Sequence, residues 1–433
     1  MTPAPARPAK PRRLIYIDTA YTLKIVRNRR HEDYWMARHS GDYFPIVWGV
    51  HPFSDIPDNE RRNKTRLLRF APRQVAIEGT SQLLSLPKWL LPINFLVSQA
   101  LLLRSLIKRG KKYPIDAIFV NDPLYAGLFG LLLAWRLRVP LIVFVPAHFD
   151  DLYDSTGALG APRIFRTRKV EQAAMRTVFR RATMVFAAAD NLAAMALKYG
   201  APPKSIARLS HGKYIASYHL CPPDGRAPPG PVLAKYRIPD APNYLIFIGR
   251  QTLLKHPEDA LLAMKIAFEG DPDVIGIMAG IGDLNDYLKA KTKELQIDSR
   301  VFFPGLLYQP SLSLLLPRCI CLSPLTGMAL IEAALGGAPV VAYDRDWQSE
   351  FIYPGVTGAL VPDRDWEAMG NAALEILRDP ERRKAFAKAG RARAIQFVDL
   401  KSNQDKEHAA FDAMFDRWAS KRRQRNQTRQ FSN

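Results

Sequence analysis

Ser323-Pro-Leu-Thr-Gly-Met-Ala-Leu-Ile-Glu-Ala-Ala-Leu-Gly-Gly-Ala-Pro-Val-Val-Ala-Tyr343 reads as a turn, a helix and a strand. Just ahead of it, Arg318-Cys-Ile-Cys-Leu322 is a short apolar run with the character of a buried strand. After Thr326-Gly327 the period changes. Met328, Ile331 and Leu335 recur at helical spacing, Gly336-Gly337 stops the helix, and Pro339-Val-Val-Ala-Tyr343 begins a second strand. A strand, helix, strand unit of this kind builds parallel sheets. Its tight Thr-Gly entry leaves backbone N–H groups unpaired at the positive end of the helix dipole, which suits it to hold a phosphate.

Glu332 makes the unit more than a packing element. One helical turn away stand Met328, Ala329, Leu335 and Gly336, all small or apolar, so the carboxylate needs a partner. Two partners fit. A ribose whose phosphates rest on the helix entry offers two adjacent hydroxyls, and an Arg or Lys from another element offers a charge; a half-exposed carboxylate that needs neither is the plainer alternative.

The same rhythm runs through the second half of the chain. Strand Tyr244–Ile248, helix Pro257–Phe268, strand Val274–Ala279, helix Leu284–Leu295, strand Val301–Phe303 and helix Ser311–Leu316 precede the unit described above. Such alternation predicts a parallel sheet with helices on both faces. Gly249-Arg250-Gln-Thr-Leu-Leu-Lys255 follows the first of these strands directly. Gly280-Ile-Gly282-Asp283 follows the second, and Phe302-Phe-Pro-Gly305 includes the third.

Taken together, these motifs resemble the donor domain of retaining glycosyltransferases of the GT-B fold, in particular the family-four (glycosyl transferases group 1) group. The resemblance implies that Arg250 and Lys255 grip the diphosphate of a nucleotide sugar while Glu332 binds its ribose. Thr326-Gly327-Met328 would offer backbone to the phosphates, Gly249 and Gly280 would border the site, and Phe303 would lie under the nucleobase. A leaving nucleoside diphosphate gains negative charge as the glycosidic bond breaks, so two fixed cations act most strongly in the transition state. One position departs from the family pattern. A glutamate usually stands eight residues before the ribose-binding one, and here that residue is Pro324.

A chain of 433 residues predicts two domains. Lys and Arg number 62 against 41 Asp and Glu, a net charge of +21, which implies an anionic partner: nucleic acid, a phosphate-rich substrate or an anionic membrane surface. No nucleic-acid motif accompanies the basic residues, so that class is set aside. Three cysteines cannot make a disulfide framework and point to a reducing cytosol. Met1 to Arg13 is basic and Pro-rich without an apolar core, unlike a signal peptide. Trp89 to Ile107 is the one lipid-like run; Pro92, Asn94, Gln99 and Arg104 interrupt it and argue against a spanning helix. Its later part fits a core helix. Pro87 to Phe95, with Trp89 and flanking lysines, fits the bilayer interface equally well.

The first half alternates too. Strand Leu14–Ile17 leads to the loop Asp18-Thr-Ala-Tyr-Thr22 and the cluster Lys24, Arg27, Arg29 and Arg30. Strands follow at Phe44–Val50, Asp116–Val120, Val139–Val145 and Thr183–Ala187, with helices at Ala126–Leu137 and Asn191–Tyr199 and a basic helix pair over Arg163–Arg181. Doubly wound sheets put their chemistry at the C-terminal ends of strands. Asp18, Thr19 and Asp150 are therefore candidates for the sugar or acceptor side. His148 stands two residues beyond the place where many of the resembled enzymes carry a histidine, and is a catalytic candidate beside Arg250, Lys255 and Glu332. The turn Ser210-His211-Gly212-Lys213 stands where the family has a turn bordering the cleft. Asp344-Arg345-Asp346 looks like a metal clamp, but Arg250 and Lys255 can neutralise a diphosphate, so no metal is expected. Asp344, Asp346 and Trp347 are placed on the sugar side, with Trp347 alternatively a packing anchor.

The expected architecture is α/β of the GT-B kind, two Rossmann-like doubly wound domains facing a cleft. The boundaries are a tail at 1–13, an acceptor domain at 14–220, a linker at 221–243, a donor domain at 244–396, a helix at 397–420 crossing back to the first domain, and a basic tail at 421–433. The expected activity is metal-independent, retaining transfer from a nucleotide sugar to a glycan or lipid-linked cell-envelope precursor, in the cytoplasm or at the inner face of the membrane, with no cofactor. A nucleotide-sugar epimerase, a glycan phosphorylase and a degenerate transferase kept as a scaffold are the rivals; Pro324 motivates the last.

Overall fold

The computed structural model describes residues 11–19, 43–53, 66–71, 73–81, 87–208 and 215–430. The chain separates into two compact units. One comprises the chain up to Tyr153, Gly157–Leu209 and the segment from Lys401 onward; the other comprises Asp154–Thr156 and Ser210–Leu400.

In the first unit the strands are β1 (Arg13–Ile17), β2 (Ile46–His51), β3 (Arg66–Ala71), β4 (Gln74–Glu78), β5 (Ala117–Val120), β6 (Leu141–Val145), β7 (Met184–Ala187) and β8 (Ile206–Arg208). They lie in the order β3-β4-β2-β1-β5-β6-β7-β8. All pairs are parallel except β3 with β4, an edge hairpin that the sequence pattern did not reveal. Leu14, Ile15, Tyr16 and Ile17 are all buried, as a central parallel strand covered on both faces requires. Leu14, Tyr16, Phe44, Phe119 and Phe186 form a core that Phe411 and Met414 complete. These two come from the helix Leu400–Gln430, which runs ten residues past the end expected at 420. Phe411 meets Phe186 edge-on at 5.5 Å, and Tyr43 Oη donates to Asp412 Oδ1 at 2.5 Å. In place of the expected pair of basic helices there is one, Arg168–Phe179, started by a Thr167 side chain that accepts from the amide of Val170. The preceding helix, Phe149–Thr156, stops at Gly157 in the left-handed conformation.

The second unit holds β9 (Tyr244–Ile248), β10 (Ile275–Ala279), β11 (Val301–Gly305), β12 (Cys319–Ser323), β13 (Val340–Tyr343) and β14 (Ala359–Val361) in the order β11-β10-β9-β12-β13-β14, all parallel. This is a doubly wound sheet whose winding reverses between β9 and β12. Residues 221–243, expected as a free linker, are folded into this unit. They carry the helix Gly230–Tyr236 with Val232 and Leu233 buried. Arg226 also donates to the carbonyls of His219, Cys221, Ser313 and Leu335, tying the segment down with charge-assisted bonds.

Candidate active site

Open α/β sheets place ligands at the C-terminal ends of the two strands where the winding reverses. In the second unit those ends emit Gly249-Arg250 from β9 and Pro324 to Met328 from β12. The two loops form one surface. A Cβ on Gly249 would lie 3.9 Å from Thr326 Cγ2, and a Cβ on Gly327 would lie 3.7 Å from Lys255 Nζ.

The Gly280-Ile-Gly282 turn explains why the first loop is fixed. Gly280 has φ +144°, and a Cβ there would sit 1.8 Å from Gly249 O; one at Gly282 would sit 2.3 Å from Gln251 O. Backbone therefore packs on backbone, which only glycine permits. The fully buried Gln251 adds side-chain bonds, accepting from Asn285 Nδ2 at 2.6 Å and donating to Met278 O at 3.3 Å.

Lys255 closes the short turn Leu253–Lys255 and is partly buried. Among the described residues it has neither a carboxylate within ion-pair distance nor a hydrogen-bond acceptor. Burial, then the Arg250 charge, pushes its ammonium down to about 8, with Asp346 opposing. Arg250 is exposed and likewise unpaired among the described residues. Beside them the amides of Gly327, Met328 and Ala329 have no acceptor among the described residues; the first bonded one is Leu330 N to Gly327 O at 3.0 Å. Two cations and three N–H groups in a partly dry crevice suit a diphosphate.

Glu332 has no cationic partner among the described residues, so the Arg or Lys reading does not apply. Among the described residues its carboxylate accepts one hydrogen bond, from Gln309 Nε2 at 3.4 Å, and burial pushes the carboxyl up to about 7. Behind Gln309 stands His219, its Nε2 2.9 Å from Gln309 Oε1. Burial pushes His219 down to about 4, so the ring is neutral. The network assigns the proton to Nε2, donating to the Gln309 oxygen and turning the amide nitrogen towards Glu332. Sequence reasoning missed both residues, since neither falls in a motif.

Pro324 is buried, and its carbonyl accepts from Gln348 Nε2 at 3.1 Å. Gln348, fully buried, also donates to Tyr343 O at 3.1 Å and accepts from Ser323 Oγ, whose oxygen lies 2.6 Å from Thr326 Oγ1. Thr326 thus spends its hydroxyl inward on holding the turn.

The other expected residues divide. Asp346, in the left-handed region at φ 56°, acts electrostatically on Lys255, while Asp344 is exposed. Trp347, expected on the sugar side, is 4% exposed and packs on Phe351 and Phe397 with ring centroids 6.1 Å away in each case. Its role is packing. Phe303 lies in β11, partly buried against the core of the unit.

In the first unit the winding reverses between β1 and β5, and Asp18 and Thr19 stand at that point. Asn121 Nδ2 donates to Asp18 Oδ1 at 2.8 Å, and Thr19 Oγ1 donates to Asp122 Oδ2 at 2.6 Å. Asp150 is instead an internal anchor, held by Arg168, by Lys198 at 2.7 Å and by the Tyr199 hydroxyl at 2.6 Å. Burial alone would raise its carboxyl; Lys198, Tyr199 and Arg168 outweigh that and lower it. His148 caps the helix Phe149–Thr156, its Nδ1 accepting from Asp151 N at 3.1 Å. Residues 20–22, Lys24, Arg27, Arg29, Arg30 and the 210–213 turn lie outside the described residues.

Two family models match the chain: the glycosyl transferase 4-like domain over residues 45–212 and glycosyl transferases group 1 over residues 232–393. A glycogen synthase of Mycobacterium tuberculosis is 27% identical over 164 residues, 36% of this chain and 39% of that one. The match thus spans about two fifths of that relative's length. An alpha-D-kanosaminyltransferase of Streptomyces kanamyceticus is 24% identical over 278 residues, 60% of this chain and 67% of its own. Among solved structures, sucrose-phosphate synthase from Thermosynechococcus elongatus superposes with a TM-score of 0.68 at 16% identity, covering 93% of this chain and 99% of that one. HepE from Anabaena, in complex with UDP and glucose, gives 0.68 at 16% identity over 93% of this chain and 100% of that one. Two matching family models spanning both sheets, the doubly wound topology and these likenesses in fold show that the chain belongs to the glycosyl transferases group 1 family and has the GT-B fold.

Proposed function

We propose that the chain transfers a sugar, with retention of configuration and without a metal, from a nucleotide sugar to a glycan or lipid-linked acceptor. One observation carries the donor half of this reading: Lys255 Nζ stands beside the Gly327 turn, unpaired among the described residues, with Glu332 also lacking a cation. The diphosphate would rest on Lys255, Arg250 and the 327–329 amides, and the ribose hydroxyls would donate to Glu332. Charge building on the leaving diphosphate then meets cations already in place, so the interaction grows as the bond breaks. Pro324 has no side chain with which to hydrogen-bond the sugar, so that contact falls to other groups. The lipid-linked acceptor rests on the net charge of +21 and on a short match, 37% identical over 73 residues, to a phosphatidyl-myo-inositol mannosyltransferase of Mycobacterium leprae.

The test is calorimetric titration with UDP, GDP, ADP and TDP and their common sugar conjugates, with Mg²⁺ and with EDTA. Binding of one nucleotide, equal under both conditions and lost in Lys255→Ala, is the expected result. Dependence on the metal, or undiminished binding by Lys255→Ala, refutes the assignment. Binding followed by turnover of the donor without an acceptor would instead favour an epimerase.

A further inference from the structure

The helix Leu91–Lys112 carries a surface that the donor site does not use. Its buried residues are Asn94, Ser98, Gln99, Leu102, Leu106 and Gly110, a narrow stripe on one side. Gln99 Nε2 donates to Pro52 O and Thr80 O, and a Cβ on Gly110 would collide with Leu137, so this side is firmly seated in the first unit. The opposite side is open. Ile93 is 53% exposed, Leu96 66% and Leu101 49%, and Trp89, just before the helix, is 77% exposed. Further along this open side the apolar residues give way to Arg104, Lys108 and Lys111, with Lys112 closing the helix.

No acidic residue occurs between Leu91 and Lys112, and none of Arg104, Lys108 and Lys111 is ion-paired among the described residues. By length and composition this is the one helix among the described residues apolar enough to cross a bilayer, yet its seated stripe contains an asparagine and a glutamine. A helix fixed along one side, with an exposed tryptophan and leucines followed by cations on the other, matches an element lying in the plane of a lipid–water interface. The apolar turns bury their side chains among acyl chains, while the cations meet anionic head groups.

We propose that the open face of Leu91–Lys112, with Trp89, docks the protein onto an anionic phospholipid bilayer. The charge run commits the surface to lipid: an apolar protein partner would gain nothing from four cations without acids to pair them. The proposal does not rest on the donor-site assignment, and nucleotide binding serves as an independent control.

The full chain is tested by co-sedimentation with phosphatidylcholine vesicles, with and without phosphatidylglycerol, at low and high salt. The wild type should partition onto the phosphatidylglycerol vesicles and lose most of that binding at high salt. Trp89→Ser with Leu96→Ser, both exposed, should weaken partitioning at least about tenfold with nucleotide binding unchanged. Lys108→Glu with Lys111→Glu should abolish the salt-sensitive part. The proposal is overturned if the wild type ignores anionic vesicles, if either double variant binds them as well as the wild type, or if light scattering shows that the face instead pairs two copies of the chain and the vesicles stay bare.

Discussion

Glu332→Gln should make the protein more stable and a poorer binder at once. The carboxyl sits at about 7 in the folded chain against 4.5 for an ordinary glutamate, because burial disfavours its charge and only Gln309 offsets it. A raised acid means that the folded state holds its proton more tightly than the unfolded one. The associated stability is therefore fully present below about pH 4.5 and is lost as pH rises through about 7. The shift corresponds to about 3 kcal/mol at pH 8. Glutamine does not titrate and keeps the neutral group's advantage, so urea unfolding should show the variant gaining about 2–3 kcal/mol on the wild type between pH 5 and pH 8. In the same variant, nucleotide-sugar affinity at pH 8 should fall about tenfold to a hundredfold, since two charge-assisted hydrogen bonds to the ribose lose their ionised acceptor. Parallel pH profiles of stability for the two proteins would refute the burial argument. Equal affinity would refute the ribose contact.

Affinity for an intact nucleotide sugar, whose diphosphate does not itself titrate near neutrality, should peak between about pH 7 and 8: below that range Glu332 must lose a proton on binding, and above it Lys255, held near 8, must gain one. Calorimetry in buffers of different ionisation enthalpy counts those protons, and a flat profile would contradict both assignments. Lys255→Met should lower kcat about a hundredfold to a thousandfold while leaving the melting temperature unchanged or raised, because a desolvated ammonium is removed with its stem replaced. Gly280→Ala should cost at least about 3 kcal/mol, measured by denaturant unfolding, as its Cβ would stand 1.8 Å from Gly249 O at a φ of +144°.

Alternation made the second sheet legible: each strand is a short apolar run, each helix follows at once, and Lys255 Nζ comes to rest beside Gly327. What hid was polar and local. Gln348 lies 24 residues beyond Pro324, and nothing in its neighbourhood says that its amide fixes the turn. Trp347 and Asp150 misled for one reason: proximity to a strand end was taken as access to a crevice, whereas the fold turned one ring into the core and closed the other carboxylate with three donors. The edge hairpin β3–β4 escaped because Arg66 to Glu78 mixes cations with apolar residues and turns at Arg73, a left-handed non-glycine residue.

Because Phe411 and Met414 complete the core around Phe44 and Phe186, the first unit is assembled from two ends of the chain, while the second runs almost without interruption from Ser210 to Leu400. Chains usually fold from the amino terminus as they leave the ribosome. Here the order is inverted for the last step. The second unit has all its strands in hand while the first still exposes a bare aromatic surface, waiting for the helix that carries Phe411 and Met414 to be translated. Premature termination past Leu400 would therefore leave a nucleotide-binding half intact beside an unfinished, sticky one, and chaperone demand should fall on the half that was made first.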